Sequence, residues 1–318
     1  MDKKQVRLEE TRMKGWTTRD IPDQFRKVSV VTGANTGIGY QTALALAGAG
    51  ADVIVAARNT EKGRDAVARI LSSHPSAQVS FEKLDLASLR SVSDFAARME
   101  AVGRPLDLLI NNAGLASPPR RAETQDGFEL QFGVNFLGHF ALTAQLLPML
   151  LKAAAPRVVT LSSIMHKVGK INFDDLMSER SYSPVASYNQ SKLATLLFAR
   201  KLQRRADAEG WNLISLASHP GVSRTELSKA RPAQPVLWFN WIGDLIAPLF
   251  TGTASNGALP TLYAATSPDI EKGGYYGPTG WNEIKGPPGQ ARSTPASQDP
   301  TTANLLWEHA QHYTGLNF

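Results

Sequence analysis

Between residues 28 and 221 the chain alternates short apolar runs with helix-patterned stretches, and no other feature restricts the fold as much. The apolar runs fall at 28–31, 53–57, 79–84, 106–110, 157–161 and 213–217. The run at 53–57 is nearly continuous in apolar residues, as suits a strand covered on both faces. Helical patterns fill the intervals. One runs over 40–49, with Gly50 suited to its C-terminal cap, and another over 61–71. A third covers 88–99 with Ser88 in the N-cap position, a long one covers about 128–151, and one runs from Tyr188 to about 208. Strand–helix alternation of this kind builds βαβ units and a parallel sheet.

The first loop of that alternation is rich in glycine. Thr32, Gly33, Ala34, Asn35, Thr36, Gly37, Ile38 and Gly39 follow the first strand and open the first helix. A pyrophosphate approaching backbone N–H groups at a helix N-terminus needs such a loop, because side chains would block it. The spacing is G-x-x-x-G-x-G, and after the first strand of a βαβ run it is a strong dinucleotide signal. The expected fold is therefore α/β, a single-domain, Rossmann-type, doubly wound parallel sheet with helices on both faces. Residues 1–26 read as a polar N-terminal arm carrying Trp16 and Pro22. Residues 27–290 read as the dinucleotide-binding catalytic domain, and 291–318 as a C-terminal tail and helix.

The second strand ends Ala56, Ala57, Arg58, Asn59, with no carboxylate. An acidic residue there would bond a ribose 2′-hydroxyl and repel a 2′-phosphate. Arg58 is instead placed to pair with the phosphate, with Asn59 beside it, so the expected cofactor is NADP(H). Asp85 and Leu86, at the tip of the third strand, are candidates for the adenine edge, and helix capping is the rival role for Asp85. Further candidates sit at later strand ends: Asn112, Ala113 and Gly114 after the fourth, Ser163 after the fifth, and Pro220, Gly221 and Val222 after the sixth. Ligands of open α/β sheets bind beyond these carboxyl ends.

Tyr188 and Lys192 stand four apart in a helical pattern, so they share a face. A phenol titrates near 10 and is a poor acid–base group at neutral pH. A cation one turn away favours its phenolate and brings it toward the working range. The pairing alone is weak evidence. It gains meaning from a hydride carrier at the glycine turn and an oxygen-binding group at a strand end.

Composition narrows the alternatives. The chain has 318 residues, is 42% hydrophobic and carries a formal net charge of +6. The charge is spread along the chain, which suits solubility and an anionic cofactor and gives no nucleic-acid footprint. Cysteine is absent, so there is no disulfide, thiolate nucleophile or thiolate-bound metal, and no metal site is expected. A reducing compartment fits, and with no secretory signal in view the expected location is cytoplasmic. The most apolar late stretch, 236–250, is interrupted by Asn240, Asp244 and Pro248. It falls short of the roughly 20 apolar residues a membrane span needs.

Together, Thr32-Gly33-x-x-x-Gly37-x-Gly39, Asn111-Asn112-Ala113-Gly114, Asn135, Ser163, Tyr188-x-x-x-Lys192 and Pro220-Gly221 appear in the order found in short-chain dehydrogenases/reductases, a family the chain resembles from about 28 to 280. The long interval between Ser163 and Tyr188, with its insert at 170–182, is similar to the retinol-dehydrogenase-like and WW-domain-oxidoreductase-like branch, although no WW module is present. Light-dependent protochlorophyllide reductases are also similar, but they use a cysteine that this chain lacks.

The resemblance implies that Tyr188 is the acid in reduction and, as phenolate, the base in oxidation. It implies that Lys192 lowers the Tyr188 pKa and bonds the nicotinamide ribose. Ser163, rather than Ser162, would bond the substrate oxygen, and Asn135 would hold a water in a proton relay behind Lys192. Thr225 would lie near the nicotinamide carboxamide, with an N-cap as its rival role. The segment at about 225–255, with Trp238, Phe239 and Trp241, resembles a substrate lid, with an oligomer contact or ordinary core as the competing roles. His166 and His139 receive no catalytic role, and Gln145 and Lys167 no assignment. The expected activity is hydride transfer between NADP(H) and a small-molecule carbonyl or alcohol, lipophilic or aromatic. The alternative is a catalytically quiet NADP(H)-sensing regulator. The family's habit of pairing the helices that carry Asn135 and Tyr188 implies a homodimer or homotetramer.

Overall fold

A computed structural model of the chain describes residues 15–221 and 253–318. Eight strands form one sheet in the order β3-β2-β1-β4-β5-β6-β7-β8. They are β1 (Val28–Thr32), β2 (Asp52–Ala57), β3 (Val79–Lys83), β4 (Leu108–Asn111), β5 (Arg157–Leu161), β6 (Ile214–Ser218), β7 (Tyr275–Pro278) and β8 (Pro288–Gln290). The first seven run parallel, and β8 returns antiparallel to β7. The helices are α1 (Gly37–Gly48), α2 (Thr60–Ser73), α3 (Leu89–Val102), α4 (Gly138–Leu150), α5 (Pro184–Ala208), α6 (Ala254–Thr266) and α7 (Pro300–Thr314).

Strand side chains alternate between faces, and here both faces are apolar, so the sheet has a core on each side. Val30, Leu109 and Val158 point to a core completed by α3, α4, α5 and α7. Val31, Ile110 and Val159 point to one completed by α1, α2 and α6. This is the doubly wound, Rossmann-type arrangement expected from the sequence.

Differences from the sequence reading are local. β7 and β8 escaped it, because each is short and rich in Gly or Pro, and β7 pairs with β6 only through Tyr275 and Tyr276. The long helix before β5 is not uniform. A turn at Leu130–Phe132 leads into a π-helical Gly133–Leu137 and then α4. Gly133 and Gly138 bracket the π turn. A Cβ at either would press on Thr124 or on the Leu86 carbonyl, so the backbone runs against its neighbours where helix propensity is poor.

Two peripheral segments finish the cores. In the N-terminal arm, Trp16 is buried with its ring edge-on to Tyr263 of α6 at 5.5 Å. On the opposite face α7 lies over α4 and α5. Trp307 meets Phe140 at 5.0 Å and stacks on Phe198 at 5.8 Å, and Phe318 closes over Trp307 at 4.7 Å. Among the described residues no helix is long and apolar enough to cross a membrane. The 236–250 stretch, most of the 225–255 lid segment, Val222 and Thr225 lie outside the described residues.

Candidate active site

The carboxyl ends of β1, β2, β4 and β5 open into one cleft of about 360 Å³. Its head is the glycine turn. Gly33 has φ +66°, and a Cβ there would lie 2.9 Å from the Ala113 Cα. At Gly39 a Cβ would overlap the Asn112 side-chain amide and stand 2.7 Å from the Gly33 carbonyl. No larger residue fits either place. Thr36 caps α1 without a side-chain hydrogen bond, so among the described residues the first N–H groups of that helix lie at the cleft without side-chain acceptors. A Cβ on Gly37 would meet nothing within 4 Å. An open helix N-terminus with bare backbone is what a pyrophosphate requires, and the turn fits a dinucleotide on this ground.

The cleft wall contains most of the residues singled out for a cofactor: Gly33 and Asn35 through Gly39, Arg58, Asp85 and Leu86, Asn112 to Gly114, Tyr188, Lys192 and Pro220. Arg58 is exposed on the rim. Asn59 is not in the wall. It caps α2, its Oδ1 accepting the Lys62 N–H at 2.9 Å. An Asn one residue before a helix favours that role intrinsically. Asp85 lines the cleft while its Oδ1 accepts the Ala87 N–H at 3.0 Å, so it turns the chain toward α3 as well. Gly221 lies just outside the wall. It has φ +69°, and its N–H donates to His219 Nδ1 at 3.2 Å.

At the inner end, α5 carries Tyr188 and Lys192. Ser183 caps the helix and Pro184 occupies its first turn. The Ser163 side chain is the polar neighbour of the Tyr188 phenol that opposes the rise in its pKa. Ser163 also begins the turn after β5, accepting the Met165 N–H at 3.2 Å. Its neighbour Ser162 has a different task, donating to the Lys192 carbonyl at 2.7 Å and fastening α5 to β5. Lys192 is buried. Its Nζ donates to the Leu161 carbonyl at 3.1 Å and stands 5.8 Å from the Tyr188 ring centre.

The electrostatics differ from the expected picture of a phenol tuned down by lysine. Burial raises the Tyr188 pKa, opposed by the Ser163 side chain. Burial also lowers Lys192 to about 8. Removing each group from water penalises its charged form, and in the protein alone this sets the direction of both shifts.

Asn135 sits in the π turn beneath the cleft floor. Its Oδ1 accepts the Leu115 N–H at 2.9 Å, and its Nδ2 donates to the Leu115 carbonyl at 3.0 Å and to Ser191 Oγ at 2.9 Å. Gly114 lets this amide approach Lys192: a Cβ on Gly114 would be 3.1 Å from Asn135 Oδ1 and 3.5 Å from Lys192 Nζ. The side chain is thus spent on holding the floor.

Several neighbours had no sequence signal. His166 Nδ1 contacts the Ser163 carbonyl at 2.7 Å, and the Tyr275 hydroxyl donates to the same carbonyl at 3.3 Å. Lys167 pairs with Glu283 at 2.6 Å, and His219, held neutral by burial with its pKa lowered to about 4, lies 3.8 Å from that carboxylate. These groups brace the strand ends behind Ser163. They come from segments distant in sequence, with no motif to join them.

Comparison with known proteins agrees with this architecture. The short chain dehydrogenase family profile matches residues 27–235. Retinol dehydrogenase 12 of Mus musculus is 44% identical over 245 residues, 77% of this chain and 75% of its own. Polyprenol dehydrogenase of Homo sapiens is 41% identical over 302 residues, 93% and 87% of the two chains. The crystal structure of an uncharacterised Mycobacterium paratuberculosis protein superposes with a TM-score of 0.79 at 40% identity, covering 96% of this chain and 99% of that one. A short chain dehydrogenase of Shigella flexneri complexed with NADP matches with a TM-score of 0.60 at 25% identity, covering 77% and 93%. The chain belongs to the short-chain dehydrogenase/reductase family, in its retinol-dehydrogenase-like branch.

Proposed function

We propose that this oxidoreductase uses NADP(H) to interconvert a lipophilic alcohol and its ketone or aldehyde. The observation that carries the reading is the convergence of Tyr188 and Lys192 in the cleft wall, one turn apart on α5, with the Ser163 side chain acting on the phenol. When bound, the nicotinamide supplies or accepts the hydride. The protein's part is to hold and move a proton. The Ser163 hydroxyl accepts from the Met165 N–H and has one hydrogen to donate to a substrate oxygen, where it would steady developing negative charge. Tyr188 delivers its phenol proton to that oxygen in reduction and withdraws it in oxidation. Lys192, its pKa lowered by burial to about 8, is suited to return a proton to the phenol side of the site.

The preference for NADP(H) rests on Arg58 at the rim and on the lack of a carboxylate at the end of β2. Related structures complexed with NADP and NADPH support it. A lipophilic substrate is supported by relatives named for retinol and polyprenol and by the aromatic composition of 237–249.

The test is NADPH consumption across aldehydes and ketones that include long-chain isoprenoids, with Tyr188→Phe as control. The variant should bind NADPH normally and lose turnover by several orders of magnitude. Substantial residual turnover by Tyr188→Phe would refute the mechanism, and a wild type that prefers NADH would refute the cofactor assignment.

A further inference from the structure

His139 is a wholly buried titratable group that the proposed reaction does not use. It lies in the first turn of α4, and both ring nitrogens are engaged. Nδ1 is 3.0 Å from the Asn135 backbone carbonyl and Nε2 is 2.9 Å from Thr32 Oγ1. A carbonyl only accepts, so Nδ1 carries the hydrogen and Nε2 presents a lone pair. The Thr32 hydroxyl must then donate to Nε2. Its oxygen meanwhile accepts the N–H groups of Asn112 and Ala113, each at 2.9 Å. The Ile110 carbonyl, at 3.3 Å, is the more distant claimant for the one hydroxyl hydrogen. Burial lowers the His139 pKa to about 4, with the Lys192 charge acting in the same direction, so the ring stays neutral.

Both ends of this bridge meet the cleft. Thr32 opens the glycine turn and fastens Asn112 and Ala113, and Ala113 stands against Gly33. Asn135 holds Leu115 and Ser191 beside Lys192. We infer that His139 is a positioning residue with two separable tasks: Nε2 sets the Thr32–Ala113 wall where the cofactor lies, and Nδ1–H sets the Asn135 segment beneath Lys192. The inference rests on the proposed function, since it assigns the two walls to cofactor binding and proton transfer. A neutral imidazole suits the position because it offers a donor on one edge and an acceptor on the other.

Two substitutions separate the tasks. In His139→Asn the side-chain amide reaches the place of Nδ1 and donates to Asn135, leaving Thr32 without its acceptor. In His139→Gln the amide oxygen reaches the place of Nε2 and accepts from Thr32, leaving the Asn135 carbonyl without its donor. NADPH affinity is measured by fluorescence titration and kcat on the best carbonyl of the screen. His139→Asn should weaken NADPH binding about three- to tenfold, the effect of one neutral hydrogen bond, with kcat nearly unchanged. His139→Gln should lower kcat by a similar factor and spare NADPH binding. Parallel losses in both parameters, or no change in either, would reduce His139 to packing and overturn the inference.

Two further measurements do not depend on those variants folding. Imidazole ¹⁵N shifts of the wild-type protein should show the Nδ1–H tautomer, and an Nε2–H tautomer would overturn the assignment. Thr32→Val, which also removes the acceptor of the Asn112 and Ala113 N–H groups, should weaken NADPH binding at least as much as His139→Asn, and normal NADPH binding in Thr32→Val would overturn the bridge. The binding and tautomer results are read without turnover. Failure to reduce any carbonyl would therefore strike the proposed function and leave these two results standing.

Discussion

Arg58→Ala is the sharpest probe of cofactor choice. Arg58 follows β2, is exposed on the cleft rim and takes part in no ion pair within the described residues. Arg69, the other guanidinium near the glycine turn, is already committed: it pairs with Asp65 at 2.9 Å, donates to the Asn35 carbonyl at 3.2 Å and lies 4.3 Å from the Tyr40 ring centre. The 2′-phosphate should therefore fall to Arg58. A charge-assisted hydrogen bond contributes about 1.5–3 kcal/mol, and an exposed position favours the lower end. Removing it should cut kcat/KM for NADPH roughly 10- to 30-fold, at about 1.4 kcal/mol per factor of ten. NADH lacks the phosphate and should be unaffected. Steady-state kinetics with both cofactors measure the ratio directly. Salt provides an internal check: raising ionic strength should erode the wild-type preference for NADPH and leave the variant's unchanged. Equal losses for both cofactors, or no change in the ratio, would show that Arg58 does not read the phosphate.

Gly39→Ala should weaken NADPH binding by more than tenfold with the fold retained, checked by titration and circular dichroism. The new methyl would collide with an Asn112 amide already tied to the Thr32 carbonyl at 2.7 Å. Trp307→Ala should cost about 3–5 kcal/mol in denaturant unfolding. Trp307→Phe should cost far less, because among the described residues the buried indole N–H has no hydrogen-bond partner and its removal relieves a desolvation penalty of about 1–3 kcal/mol. Equal costs for the two variants would refute this account. Stability should also fall with acid. His139 and His219 are held by burial at about 4, below the ordinary 6.5. Between those values the unfolded chain binds more protons, so their contribution is complete above about 6.5 and drains away as pH falls toward 4. Each accounts for up to about 1.4 kcal/mol per pH unit in that window. His219→Asn should flatten the unfolding free energy against pH there, and an unchanged slope would count against a neutral His219.

Much of the scaffold was legible because its determinants are local or periodic. Val30 and Val31 alternate between two cores, and the glycine turn announces itself by composition and place. The spacing of Tyr188 and Lys192 needed only helical geometry. What escaped depends on partners distant in sequence. The capping role of Asn59 depends on the helix beginning at Thr60, whose start the strand pattern alone does not fix. The direction in which Tyr188 and Lys192 shift depends on how deeply each is buried, which spacing does not report. The π turn around Asn135 arises where glycine backbone meets Thr124 and Leu86. The brace of Lys167, His219 and Glu283 draws on three separate stretches. His139 looked inert because its two partners, Thr32 and Asn135, belong to different elements.

The aromatic seam between α7 and the helices beneath it bears on how the chain reaches this state. Phe140 and Phe198 belong to elements completed well before Trp307 leaves the ribosome. Until then they line an open apolar groove that no earlier element among the described residues covers. Closing it requires a long loop to shut, at an entropic cost that local helices never meet. The last step of folding should thus be docking of α7, and the species that precedes it has an almost finished sheet and a bare aromatic stripe. Such an intermediate is prone to self-association, so yield during synthesis should depend more on this seam than on the glycine turn or the catalytic helix.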